Sequence, residues 1–299
     1  MSGATGMTVR PVRVQEEPYT WPVLRLELPA TLEINEGESA YLSPLIIPNY
    51  AHYDDIVLES SDESVATVSG YEVTAVGSGT CTITCRLTND SSIFAECQVT
   101  VIGVFVDLAL PSGTLWAKCN VGASTPEEYG DYFAWGETTP KTEFSWVNYA
   151  HVNIIDDTFV EASKYNTQSH FGLIDNKTEL EEEDDAAIAN TDGKGKMPTL
   201  EQMQELLNDA NTTRVFTTQN GVIGTLITSV RNSNTIFLPA AGGDLGSGLE
   251  YTTVTGAYWS RTLDSGSPDK AYGMGLNSSG SGTESTDRYY GMTVRPVKR

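Results

Sequence analysis

Between Val23 and Ile102 apolar side chains return at every second residue, and this period restricts the fold more than any other feature of the chain. Leu24, Leu26 and Leu28 alternate, and Leu32 with Ile34, Ile56 with Leu58, Val65 with Val68, Cys81 with Ile83 and Cys85, and Val99 with Val101 extend the pattern. Successive side chains of a strand point to opposite faces, so such a run can bury one face and leave the other wet. Turn-forming residues separate the runs at Glu36–Glu38, Pro48–Asn49, Ser69–Gly70, Gly77–Gly79 and Asn89–Ser92. Short strands at this spacing predict an all-β sandwich over residues 23–103.

Within that stretch, SSDESVATVS at Ser60–Ser69 and VTAVGSGTCTI at Val73–Ile83 resemble the bacterial immunoglobulin-like domain of group 2. The resemblance implies a spacer or stalk on a surface protein. His52 reads as a solvated loop histidine rather than a ligand. Cys81, Cys85, Cys97 and Cys119 match no zinc spacing and are too few for a disulfide framework. Cys81 and Cys85 share a strand face with Ile83 and read as small core residues, with a Cys85–Cys97 cross-strand disulfide as the alternative.

With 299 residues, 39% of them apolar, five Trp and fourteen Tyr, the chain can support two folded domains, each with its own core. Forty acidic against eighteen basic residues leave a formal charge of −22. That charge repels phosphate backbones and anionic lipid headgroups, which argues against nucleic acid and membrane surfaces as partners. No stretch approaches the roughly twenty apolar residues of a membrane helix, so no membrane insertion is expected of this chain. The opening residues Met1–Thr8 lack the charged and apolar regions of a signal peptide; an extracellular or cell-surface location would require the signal to have been removed.

Residues 1–22 contain a repeat. GMTVRPVR at Gly6–Arg13 matches GMTVRPVK at Gly291–Lys298 in seven of eight positions, which predicts the remnant of a closing strand from an upstream copy. Gln15–Pro22, with two prolines and two acids, reads as an extended linker.

A second composition begins at residue 104. Phe105–Ala123 reads as two short strands about a Pro-Ser-Gly turn, with Trp116 and Cys119 as core candidates. Asp131–Glu137 is aromatic and predicted buried. The irregular stretch Thr138–Leu180 needs anchors among Trp146, Tyr149, Phe159, Tyr165 and Phe171. Glu179–Asp185 holds six acids in seven residues and predicts a helix capped by Thr178, in preference to a calcium site. Thr199 to Gln202 forms a capping box opening a second helix with Leu200, Met203, Leu206 and Leu207 on one face. Asn220-Gly221 predicts a type I′ hairpin between Val215–Gln219 and Val222–Thr228. Strands at Ile236–Gly242, Ala257–Arg261, Ala271–Leu276 and Met292–Val297 complete an α+β expectation for residues 104–299.

LPSGTLWA at Leu110–Ala117, NVGA at Asn120–Ala123, YFAWGE at Tyr132–Glu137, EDDAA at Glu183–Ala187, MPT at Met197–Thr199, FLPAAG at Phe237–Gly242, YWS at Tyr258–Ser260, and RYYG with VRPV between Arg288 and Val297 resemble the Fibrobacter succinogenes major paralogous domain. The resemblance implies a C-type lectin-like fold whose first and last strands pair, Thr114–Ala117 beside Thr293–Val297. It further implies an exported, adhesive or fimbrial protein of gut bacteria. Related domains carry segments varied by diversity-generating retroelements between a Trp-Ser strand and the last strand.

The residues between Arg261 and Tyr290 fit that implication on their own chemistry, being polar positions free to change without touching a core. The candidate ligand-binding residues are Arg261, Asp264, Asp269, Tyr272, Asn277, Glu284, Asp287, Arg288 and Tyr289, with Ser279 and Thr283 beside them. Arg261 and Arg288 stand out, since a cation amid so many acids either pairs internally or anchors an anionic or aromatic group. Arg295 reads as part of its strand, as its counterpart Arg10 does. His52, His151 and His170 belong to no catalytic constellation, so no enzyme, cofactor or metal is expected. The sequence therefore predicts a non-enzymatic surface protein binding an extracellular protein or carbohydrate, with self-association through the terminal strands as the alternative.

Overall fold

The computed structural model describes residues 21–51, 56–156 and 159–299. The repeat at Gly6–Arg13, the linker up to Thr20 and His52 lie outside the described residues. The chain divides into two compact units, one ending at Gly103 and the other spanning Val104–Arg299.

In the first unit, a four-stranded sheet runs in the order Thr31–Asn35, Phe94–Ile102, Gly79–Leu87, Ile56–Ser60, and its first pair is parallel. A three-stranded sheet, Ser39–Tyr41, Glu72–Ala75 and Ala66–Ser69, closes the other side of a shared core. The period of two is realised directly: Cys81, Ile83, Cys85 and Leu87 are all buried on one face of the Gly79–Leu87 strand. The register sets Ile83 opposite Cys97 and Cys85 opposite Ala95, so the two cysteines of the alternative disulfide are not cross-strand partners. All four cysteines are free thiols, and burial pushes Cys85 up to about 11.

The second unit corrects the α+β expectation. Its described residues contain two α-helices, Ala186–Asn190 and Leu200–Leu206, of five and seven residues, amid many short strands. So strand-rich a unit shows no clear α+β C-type lectin domain. The helix expected from the acidic run and a Thr178 cap is shortened and starts later. Glu182–Asp184 forms only a 3-10 turn, and the helix begins at Ala186, capped by Asp185, which accepts from the amides of Ala187 and Ile188. Adjacent carboxylates repel one another along a helix. Here Glu181, Glu183 and Asp184 instead converge on the ammonium of Lys164 at 2.7, 2.9 and 2.6 Å. The second helix opens on the capping box of Thr199 and Gln202, and it buries Met203 and Leu206.

Thr212–Gln219 and Val222–Ser229 form the hairpin around Asn220 and Gly221, both at positive φ as a type I′ turn requires. Leu115–Ala117 pairs with the last strand, shortened to Val297–Lys298, with Trp116 opposite Val297. The terminal sheet, Thr255–Leu263, Lys270–Asn277 and Gly280–Asp287, is antiparallel. Tyr258, Met274 and Leu276 face one apolar core, while Trp259, Leu263 and Ala271 face a second. On one face of this sheet a groove opens.

Candidate functional site

The groove is assembled by strand register. Antiparallel pairing aligns Thr255 with Asn277 and Gly280, Ala257 with Gly275 and Gly282, and Gly273 with Glu284. Alternation puts these side chains on one face. Where that face would carry three side chains in a row, it carries Ala257 and two glycines, leaving a floor of backbone. A Cβ placed on Gly282 meets nothing within 4 Å, and one on Gly275 meets only Glu284 Oε1 at 3.8 Å. Glycine inside a strand often marks the close approach of another molecule.

Gly242, Gly243, Leu245, Tyr251, Tyr290 and Met292 line the rest of a space of about 590 Å³. Gly242 sits at φ +66, and a Cβ there would meet Glu250 O at 2.0 Å, so the backbone can approach this closely only with glycine. Asp244 braces this loop: its carboxylate accepts from Gly246 N at 2.8 Å, and its backbone exchanges two hydrogen bonds with Gly291. Tyr251 is 57% exposed, so its ring is available to a ligand. The lining contains hydroxyls, an amide and the carboxylate of Glu284, and no Lys, Arg or His. Such a surface offers hydrogen bonds and ring faces to a neutral polar ligand and repels anions.

Of the expected binding residues, Asn277 and Glu284 line this groove, as do Ser279 and Thr283. The others lie elsewhere. Arg288 is fully buried and donates to Tyr149 Oη and Pro268 O at 2.8 Å, Lys164 O at 3.1 Å and Tyr165 O at 3.2 Å. Its guanidinium also stacks over Trp135 and Tyr149, at 4.9 and 5.2 Å from the ring centres. Arg288 thus anchors the long Thr138–Leu180 stretch from inside, together with the buried Tyr149 and Tyr165. Arg261 also turns inward, donating to Leu180 O and lying 3.6 Å from the buried carboxylate of Asp185. Both cations that the sequence offered as ligand anchors are engaged within the fold.

Asp264 holds a turn, accepting from Gly266 N at 3.0 Å and Ser285 Oγ at 2.7 Å. Tyr272 points to the face opposite Gly273 and Gly275. Asp269 and Asp287 lie near Lys270 at the far end of the sheet. Burial raises the Asp287 carboxyl, Lys270 pulls it back down, and Asp269 adds to the rise. Tyr289 packs against Trp146 and Tyr290 at 5.0 and 4.7 Å, and burial pushes its hydroxyl up to about 12. Arg295, expected in its strand, is fully buried.

Among the lining residues that sequence reasoning missed are Gly242, Gly243, Tyr251, Gly275, Gly282 and Tyr290. A signal existed in the alternating glycines Gly273/Gly275 and Gly280/Gly282 within strand-like runs. The carboxylates of Glu181, Glu183 and Asp184 lie close enough to suggest a cation, but the ammonium of Lys164 bonds all three and takes the cation's place. Among the described residues no helix is long and apolar enough to cross a membrane.

No family model matches the chain, and no curated protein matches it. Among solved structures, the S-layer protein rSbsC(31-844) aligns with 72% of this chain and 23% of its own length at 10% identity, with a TM-score of 0.23. Surface layer protein SbsC, domains 4–9, aligns with 89% of this chain and 31% of its own at 13% identity, also with a TM-score of 0.23. The chain spans less than a third of either structure. Likenesses this distant carry no argument about fold or function.

Proposed function

We propose that this chain is a non-enzymatic surface protein whose second unit binds an extracellular carbohydrate in the groove of the terminal sheet, the first unit acting as a spacer. The observation that carries this reading is the glycine floor, an open space of about 590 Å³ bordered by hydroxyls, an amide and two tyrosines. That volume lies within the usual range of small-ligand sites. A pyranose ring has an apolar C–H face and a rim of hydroxyls. It needs a flat approach, an aromatic ring and several donors and acceptors, and Tyr251, Tyr290, Asn277, Thr283 and Glu284 provide them. A protein ligand is the competing occupant of the same groove.

The test is a glycan array run on the full chain, with and without calcium, beside a pull-down from host and bacterial surface extracts. Binding to neutral glycans, independent of calcium and lost in Gly282→Val, is the expected result. Binding that survives both Gly282→Val and Tyr290→Ala would sink the groove as the site, and capture of a protein with no glycan signal would replace the carbohydrate with a protein partner.

A further inference from the structure

Residues 291–298 occupy a slot that recognises nearly every one of their side chains. Thr293 is fully buried and donates its hydroxyl to Ala257 O at 2.7 Å. Val294 and Val297 are fully buried in the two cores. Arg295, also fully buried, donates Nε to Asn120 Oδ1 at 2.7 Å and its terminal nitrogens to Ala117 O at 3.0 Å, Phe237 O at 2.9 Å and Lys118 O. A planar guanidinium with several fixed acceptors is a specific key, because a lysine or any neutral side chain leaves most of those acceptors unpaired. The backbone is held too, but by several different neighbours rather than one strand: Asp244, Phe133, Ala257, Trp259, Val121 and Lys196 each bond part of it, beside the two-residue strand Val297–Lys298. Exchange trades these bonds for the same bonds made by an identical backbone.

The chain contains the same key twice. Gly6 to Val12 repeats Gly291 to Val297 without a change, and only Arg13 replaces Lys298. The second copy presents the same threonine hydroxyl, valines and guanidinium to any slot of this kind. We propose that residues 6–13 of one copy can take the place of residues 291–298 in a second copy of this chain, joining molecules head to tail. Donor and acceptor are different surfaces, so the contact is heterologous and does not close on itself as a two-fold dimer would. Residues 6–12 are identical to 291–297, so the buried hydrogen bonds and apolar contacts that the resident segment gives up are available to the incoming one, and the exchange is close to neutral in energy. Tethering therefore favours the resident segment in dilute solution, and rising concentration favours exchange. The slot shares Ala257 and Met292 with the groove, but its test reads linkage between molecules rather than glycan binding, so the two readings fail separately.

The register supplies the test. Leu115 faces Lys298, so in an exchanged assembly Leu115 of the acceptor faces Arg13 of the donor. The full chain carrying Arg13→Cys and Leu115→Cys, oxidised at rising concentration, should give linked dimers and longer ladders at least about tenfold above Arg13→Cys alone or Arg13→Cys with Ser281→Cys. A second arm adds a synthetic peptide of residues 6–13 to the same full-chain double-cysteine variant before oxidation. The peptide should suppress the ladder, and the same peptide with Arg10→Ala should need at least about a hundredfold higher concentration to do so, the loss expected when a charged hydrogen-bonding group is removed. A ladder no stronger than the controls overturns the proposal. So does a peptide arm in which both peptides, or neither, suppress the ladder.

Discussion

Replacing Arg288 with alanine separates its role as an internal anchor from the ligand contact expected of it. In the wild type the guanidinium donates to one hydroxyl and three carbonyls, all within 3.2 Å, and it lies over three rings. Alanine leaves those acceptors without a donor. Each buried acceptor so deprived costs about 1–3 kcal/mol before any water enters the gap, and two unrepaired carbonyls alone cost about 2–6 kcal/mol. Lost stacking adds about 1 kcal/mol, and relief from burying a charge returns part of the total. A net loss of about 4 kcal/mol is the expected outcome, equivalent in a unit of this size to a fall of about 8–16 °C in Tm. Urea unfolding followed by tryptophan fluorescence is the suitable assay, since Trp116, Trp135, Trp146 and Trp259 all lie in the second unit. Arg288→Lys should recover little, because one ammonium cannot reach acceptors spread around a planar fork. A variant that loses under about 1 kcal/mol refutes the anchoring argument. A variant that folds normally and yet no longer binds ligand refutes it more sharply, by returning Arg288 to the recognition surface.

Gly282→Val faces open space, so stability should stay within about 0.5 kcal/mol of wild type while glycan affinity falls at least about tenfold, checked by denaturation and titration side by side. Millimolar calcium or a chelator should leave the wild-type Tm unmoved because Lys164 fills the carboxylate cluster; Lys164→Ala should lower Tm and regain part of the loss when calcium is added. Acid should loosen the same cluster. Hydrogen bonds from Lys164 and then Lys177 lower Glu181 from 4.5 to about 2, so its contribution is fully present above pH 4.5 and disappears as pH falls toward 2. Proteolytic nicking near residues 164–181 by an acid-active protease should rise across that window. Reducing agent should leave the first unit's unfolding curve unchanged, because its cysteines are free and buried.

Much of the scaffold was legible in the sequence, and for local reasons. The period of two in Gly79–Leu87, the capping box at Thr199 and the Asn220-Gly221 hairpin each depend on residues a few positions apart, so their chemistry is complete within a short window. The acidic run misled because its partner, Lys164, lies fifteen residues away from its first member and gathers the carboxylates onto one point. Counting two helix signals produced an α+β expectation; the fold realises both as helices of one to two turns.

The site shows the same division. Polarity between Arg261 and Tyr290 says which side chains are able to meet water. It does not say which of them are met by the protein's own carbonyls. Arg288 and Arg261 look like surface cations until Pro268, Lys164, Tyr165 and Leu180 turn their backbone oxygens toward them. The groove was hidden for the converse reason. It is made of missing side chains at Gly275 and Gly282, and their absence becomes a space only when strand register sets them side by side and Tyr251 and Tyr290 wall them in. By itself the sequence determined most strands, the capping box at Thr199, the net charge and the duplicated key, all of which follow from neighbouring residues; the cap at Asp185 and the strand Gly280–Asp287 it did not. Tertiary structure alone decided which polar groups are partnered and where a ligand has room, because hydrogen-bond satisfaction and free volume are properties of atoms brought together from distant parts of the chain.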